Sequence, residues 1–177
     1  MTDIISVSGL SKSYGKKEIV HPLNFSVKKG EILVIIGPSG AGKSTLLRML
    51  DIIEPASKGE ITLFGEKVTK HSAHDLRNRM GMLFQKTVLF DRTVEENIAL
   101  GLSYRNVSRE ERQKRVKTIL EEMEMSEYAR RSSRTLSGGE GQRISFARVL
   151  VTKPEILFLD EPTANLDPGA TRLLEEM

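Results

Sequence analysis

An α/β fold is expected from three features of this chain. The run Glu31 to Gly37 (EILVIIG) is aliphatic with almost no alternation, so it reads as a strand buried on both faces, as in a parallel sheet. A glycine-rich turn follows it and leads into KSTLLRMLDII, whose apolar spacing is helical. A second buried run, EILFLD at 155–160, comes directly after a predicted helix near 139–152.

The remaining elements fall around these in chain order. IISVSGL and EIVHPLNFSV come first and predict two strands. GEITLFGEKV at 59–68 predicts a strand with a glycine-centred turn, and MGMLFQ at 80–85 another short strand. From about Lys86 to Thr135 the pattern becomes helical and heavily charged. Ser108 followed by Glu111 predicts a capping box there. Behind it, Val116, Ile119, Leu120 and Met123 form one apolar stripe at i, i+3, i+4 and i+7. Residues 86–135 are therefore expected to be a helical insertion in an α/β core made of 1–85 and 136–177, a single domain.

Bulk composition narrows the function classes. The 177 residues are 38% hydrophobic and 29% charged, a globular balance long enough to bury a core. No stretch approaches the roughly 18 apolar residues that span a bilayer. MTDIISVSGL carries an acid and no basic run, which excludes a secretory signal. The absence of cysteine rules out disulfides and thiolate metal sites and suits a cytoplasmic protein. The net charge of +3 is spread along the chain and aromatic content is 5%, so no nucleic-acid partner is expected.

The chemistry is concentrated in two places. GPSGAGKS, Gly37 to Ser44, fits G-x-x-x-x-G-K-[ST] and lies between a predicted buried strand and a helix, where that motif must lie. Its glycines let successive backbone N–H groups turn inward as an anion nest, and the helix adds the positive end of its dipole. Lys43 supplies a mobile cation for the β- and γ-phosphates, and the Ser44 hydroxyl can ligate Mg²⁺. The expected phosphate-binding segment is thus Gly37, Pro38, Ser39, Gly40, Ala41, Gly42, Lys43 and Ser44, with Thr45 after it. The second place is the end of EILFLD, where Asp160 is delivered to the C-terminal edge of the sheet, the edge at which such sheets bind ligands. Asp160 is expected to hold Mg²⁺ through water, and Glu161 to face the γ-phosphate and polarise the attacking water as general base.

LSGGEGQR at 136–143, with GPSGAGKST, Gln85 and LFLDEPTANLD, resembles the nucleotide-binding subunit of an ATP-binding-cassette (ABC) transporter, from about Ile4 to the last residue and with the motifs in the family's order. The resemblance implies a P-loop NTPase (RecA-like) core with an N-terminal antiparallel β subdomain, and ATP with Mg²⁺ as ligands. It implies that Tyr14 stacks on adenine and that Gln85 senses Mg²⁺ and the attacking water while linking core to insertion. Ser137, Gly138 and Gly139 match the signature loop, which in the family contacts the γ-phosphate held by another subunit. A head-to-tail pair, of two copies or with a paralogous cassette, with two ATP sandwiched between them is therefore implied. Asp167 matches the loop that crosses that interface, and it equally suits the N-cap of the final helix, with Pro168 at its first position; both roles can coexist.

One departure stands out. The family places a histidine after the Asp167 loop, whereas His21, His71 and His74 all precede the helical block. The resemblance thus implies a cassette cut short inside its catalytic domain, its final core strands absent; either the chain is a fragment, which is the expectation, or another chain completes the site. An apolar sheet edge prone to aggregation follows from this. KTVLFDRTVEENIALGL, after Gln85, resembles the segment that receives a permease's coupling helix in importers, and its wording is similar to ATPases for oxyanions such as tungstate or molybdate. A transmembrane permease, a substrate-binding protein acting through it, and a place on the cytoplasmic face of the membrane are implied. The alternatives are a nucleotide-binding module without efficient turnover, for want of the histidine, and a soluble ABC ATPase not involved in transport.

Overall fold

The computed structural model describes residues 2–86 and 88–162 and divides into two compact units, Met1–Met80 and Gly81–Met177. The first unit is built on a long antiparallel hairpin. β1 (Asp3–Tyr14) pairs with β2 (Lys17–Lys28) from Asp3 opposite Lys28 to Tyr14 opposite Lys17. β3 (Lys58–Leu63) adds antiparallel to the other side of β1, and β4 (Glu66–Lys67) folds back on β3, giving the order β2-β1-β3-β4. This is an N-terminal antiparallel sheet of the kind the resemblance implies. Ile5 and Val7 on β1 and Ile61 and Leu63 on β3 are buried at alternate positions, the period of a sheet with one covered face. Each such fully buried aliphatic side chain contributes about 1.5–3 kcal/mol relative to exposure.

Two helices complete the unit: α1 (Lys43–Leu50), which buries Thr45, Leu46, Met49 and Leu50, and the short α2 (Ala73–Asn78), which buries Leu76. The start of α1 lies against β2 at Gly42. Gly42 has φ 88°, and a Cβ there would stand 2.8 Å from the carbonyl oxygen of Ile19 and 3.1 Å from a Val20 methyl. Only glycine fits both the left-handed backbone and the close approach. Gly42→Ala is therefore expected to cost about 1–3 kcal/mol of stability in urea unfolding. A loss below about 0.3 kcal/mol would mean the turn relaxes without strain.

The main departure from expectation is Glu31–Gly37. Residues 31–38 form no regular secondary structure, and Ile32, Val34 and Ile36 are 88%, 69% and 90% exposed instead of buried. Aliphatic composition states a preference for burial, but a strand exists only with a hydrogen-bonded neighbour. Among the described residues no strand pairs with this run. Replacing Ile32 and Ile36 together by Thr is expected to change stability by less than about 1 kcal/mol, as for exposed positions, and to reduce light scattering from self-association. A large destabilisation would show that the two side chains are covered in solution.

The second unit pairs β5 (Met80–Leu83) with β6 (Ile156–Leu159) and surrounds them with helices. The Asp160 N–H continues the pairing, donating to the Leu83 carbonyl at 3.0 Å. The helical block holds α3 (Val94–Tyr104) and α4 (Arg109–Glu122), followed by single 3-10 turns at Ser126–Tyr128 and Ser133–Thr135, and then comes α5 (Gly138–Leu150). The α4 stripe is where the spacing places it: Val116, Ile119, Leu120 and Met123 are buried in one cluster with Val94, Ile98 and Leu102 of α3 and Ile144, Phe146 and Ala147 of α5. The capping box at Ser108 is half formed. The Ser108 hydroxyl accepts the Glu111 N–H at 3.3 Å, but Glu111 turns its carboxylate to Arg115 at 2.7 Å. That pairing holds Glu111 below the usual carboxylate range. Reciprocal boxes occur instead at Thr93–Glu96 and Ser137–Glu140.

Candidate functional site

In the first unit the sequence-assigned groups are Tyr14 and the loop Gly37–Thr45. The loop ends where Gly42 becomes the N-cap of α1 and its carbonyl accepts the Leu46 N–H at 2.8 Å. The N–H groups of the first helical turn have no intrahelical acceptor, so this end of α1 favours an anion. The Lys43 ammonium donates to the carbonyls of Gly37 at 2.9 Å and Pro38 at 3.1 Å, which turns its charge back into the loop. Ser44 sits beside it in the same turn, and Thr45 is buried beneath. An ammonium, a hydroxyl and a row of amides in one turn can bind a polyphosphate.

In the second unit, Gln85 and Glu161 are brought together across 76 residues: the Gln85 amide donates to the Glu161 carboxylate at 2.5 Å. β5 and β6 explain the meeting, since Gln85 follows the end of one and Glu161 the end of the other. Glu161 has φ 49°, a left-handed backbone that non-glycine residues adopt at a cost. Asp160 is buried immediately before it. A buried carboxylate and an amide oxygen are hard oxygen donors of the type Mg²⁺ takes, together with water and phosphate oxygens. Among the described residues no three His, Cys, Asp or Glu side chains cluster as a self-sufficient metal cage.

The signature residues open α5. Ser137 is its N-cap, accepting the Glu140 N–H at 3.3 Å, while Glu140 accepts the Ser137 N–H at 2.6 Å. The Ser137 backbone bond, then its hydroxyl and the Tyr128 hydroxyl, hold Glu140 below the usual carboxylate range. Gly138 and Gly139 are the first residues of the helix, and a Cβ added at Gly138 would meet nothing within 4 Å; N–H groups at a helix start lack intrahelical acceptors and favour anions. The three histidines take no part in this unit; His21 bonds Glu18 at 2.8 Å and His74 bonds Asn78 at 3.4 Å. Asp167 and Pro168 lie outside the described residues.

Three groups with a part in this architecture escape sequence reading. Gln142, 1% exposed, donates to the Pro162 carbonyl at 3.3 Å and so ties the signature helix to the turn that carries Glu161. Asn97, fully buried on α3, accepts the Phe90 N–H at 2.8 Å and donates to the Phe90 carbonyl at 3.0 Å, folding the segment after Gln85. Arg148 of α5 donates to the Val88 carbonyl at 2.8 Å, and burial lowers its pKa. An amide or guanidinium in a polar pattern has no period that marks it; only the carbonyls it meets do.

Comparison with known proteins supplies an independent view. The family profile for ABC transporters matches residues 20–164. The spermidine/putrescine import ATP-binding protein PotA of Bacteroides fragilis is 42% identical over 93% of the chain and 35% of its own length. The phosphate import ATP-binding protein PstB 2 of Natronomonas pharaonis is 40% identical over 97% of the chain and 65% of its own. The chain thus spans from about a third to two thirds of the length of these curated relatives. Among solved structures, a dimeric post-hydrolysis state of the ATP-binding cassette MJ0796 bound to ADP and Pi superposes with TM-score 0.88 at 30% identity, over 97% of the chain and 80% of that one. CbiO1 of Clostridium perfringens, part of the ABC transporter complex cbiONQ, gives 0.86 at 31% over all of the chain and 74% of that protein.

Proposed function

Because the chain belongs to the ABC transporter family, we propose that it is an ATP-binding and ATP-hydrolysing subunit that powers import through a separate membrane permease. The observation that carries the reading is the phosphate loop at the start of α1, with Lys43 turned into it. The loop amides and Lys43 take the β- and γ-phosphates, and Tyr14 stacks on adenine. Ser44, Gln85 and Asp160 would hold Mg²⁺, which supplies charge neutralisation at the phosphates when bound. Glu161 takes a proton from the attacking water, and Gln85 orients the carboxylate.

The signature loop Ser137–Gly139 acts on ATP held by a second copy or a paralogous cassette, so the working unit is a head-to-tail pair. The dimeric structure of the MJ0796 cassette bound to ADP and Pi supports this. The permease is received at the segment after Gln85, where Val88 and Phe90 are about half exposed and so offer apolar surface to a helix. A substrate-binding protein acts indirectly, through the permease. A peripheral place on the cytoplasmic face follows from the proposed partnership with a permease; no helix among the described residues is long and apolar enough to cross a membrane. For cargo, an oxyanion of the tungstate or molybdate kind is favoured by the wording of residues 86–102. The test is steady-state phosphate release from Mg·ATP. Release that stops with chelator is expected, whereas ATP binding with no release above background would reduce the protein to a nucleotide-binding module.

A further inference from the structure

The setting of Tyr14 carries an inference that neither motif nor resemblance contains. Tyr14 ends β1 and is 49% exposed. Its hydroxyl donates to the carboxylate of Glu54, 40 residues away. Glu54 lies just past α1, where the Ile53 and Glu54 N–H groups both donate to the Arg48 carbonyl at 3.0 and 3.1 Å. The carboxylate is clamped from two more sides, by the Lys12 ammonium at 2.9 Å and the Arg48 guanidinium at 3.6 Å. Lys12 is itself buried, donates to the Pro55 carbonyl at 2.6 Å, and stands over the Tyr14 ring 5.1 Å from its centroid.

These contacts decide what the ring can do. A surface tyrosine samples several rotamers, and holding one of them on binding a ligand costs entropy. Here the hydroxyl is pinned and a cation lies over one face, so the ring is already ordered with one face left to stack. The phenol bond to Glu54 holds the Tyr14 hydroxyl above its ordinary pKa, and the same bond, followed by the one from Lys12, lowers Glu54. A neutral phenol donating to an ionised carboxylate is the stronger form of this bond.

We propose that Glu54 is a positioning residue for nucleotide binding: held by Lys12 and Arg48, it fixes the Tyr14 ring in the orientation in which its free face stacks on the base. Since Arg48 and Lys43 are on one helix, α1 then braces both the phosphate loop and the base platform. The proposal rests on the reading of Tyr14 as the base-stacking residue, and the test separates the two.

The experiment is calorimetric titration of the full chain with Mg·ATP and with Mg·tripolyphosphate, which has the phosphates and no base. Tyr14→Ala is expected to weaken ATP about tenfold and leave tripolyphosphate unchanged. Glu54→Ala and Tyr14→Phe should each weaken ATP roughly threefold, and together no more than either alone, because both remove one bond. Glu54→Gln, whose amide oxygen still accepts from the phenol but lacks the charge that Lys12 and Arg48 hold, should fall between Glu54→Ala and the parent. If Glu54→Ala leaves ATP binding unchanged while Tyr14→Ala weakens it, stacking stands and the role of Glu54 is overturned. If Glu54→Ala weakens ATP and tripolyphosphate alike, Glu54 supports α1 rather than the ring, and the proposal fails. If Tyr14→Ala leaves the ratio of the two affinities unchanged, the stacking reading itself falls and takes the proposal with it.

Discussion

Lys43→Ala lowers the affinity of the protein for Mg·ATP by about 100-fold. The size follows from what the side chain does. Its ammonium is held over the loop by two carbonyls, Gly37 and Pro38, and is already oriented before a phosphate arrives. Removing one member of a hydrogen-bonded charge pair costs about 2–5 kcal/mol, or roughly 30-fold to several thousand-fold in affinity. The loop amides and the N-terminus of α1 remain, so binding is weakened rather than abolished. Lys43→Arg is not a rescue, because the planar fork is longer and cannot reproduce a point charge in a turn this tight. Calorimetric titration with a circular-dichroism check on α1 measures the effect. An affinity within about threefold of the parent would remove Lys43 from the phosphate site.

Glu161→Gln lowers ATP turnover by about 100- to 10,000-fold, the range for losing a general base, and changes ATP affinity little. The substitution keeps shape and keeps a partner for the Gln85 amide, so the β5–β6 end is preserved. On the proposed mechanism, what it removes is the group that accepts the proton of water. The left-handed backbone of Glu161 adds weight to this assignment, since strain is retained where neighbours over-determine it. Single-turnover phosphate release beside binding measurements separates the two effects. Turnover equal to the parent would move the general base elsewhere.

What could be read from the sequence follows its range of interaction. The phosphate loop lies within eight consecutive residues, and the α4 stripe within one helix, so spacing alone reveals both. The Ser108 cap is equally local, yet Arg115 competes for Glu111, and that competition has no sequence signature. Contacts between distant residues were not legible: the strand end marked Glu161 and the family resemblance marked Gln85, but neither gave their contact. The Tyr14–Glu54 bond had no such guide. The run 31–37 failed for a different reason: its apolarity states that burial is favourable but says nothing of which strand provides it.

In the proposed head-to-tail pair two cassettes share their sites, and a mixing experiment tests that sharing. At ATP concentrations well below its weakened affinity the Lys43→Ala chain leaves its phosphate loop empty, and a Ser137→Arg chain lacks a working signature loop, so each alone is expected to be inactive. In a head-to-tail pair of one of each, one site combines the intact phosphate loop with the intact signature loop. Half of randomly formed pairs are mixed, and one of their two sites is intact, so an equimolar mixture should recover about a quarter of the parental ATP turnover. Turnover no higher than the sum of the two variants measured apart would mean that Ser137–Gly139 does not act on a partner's nucleotide.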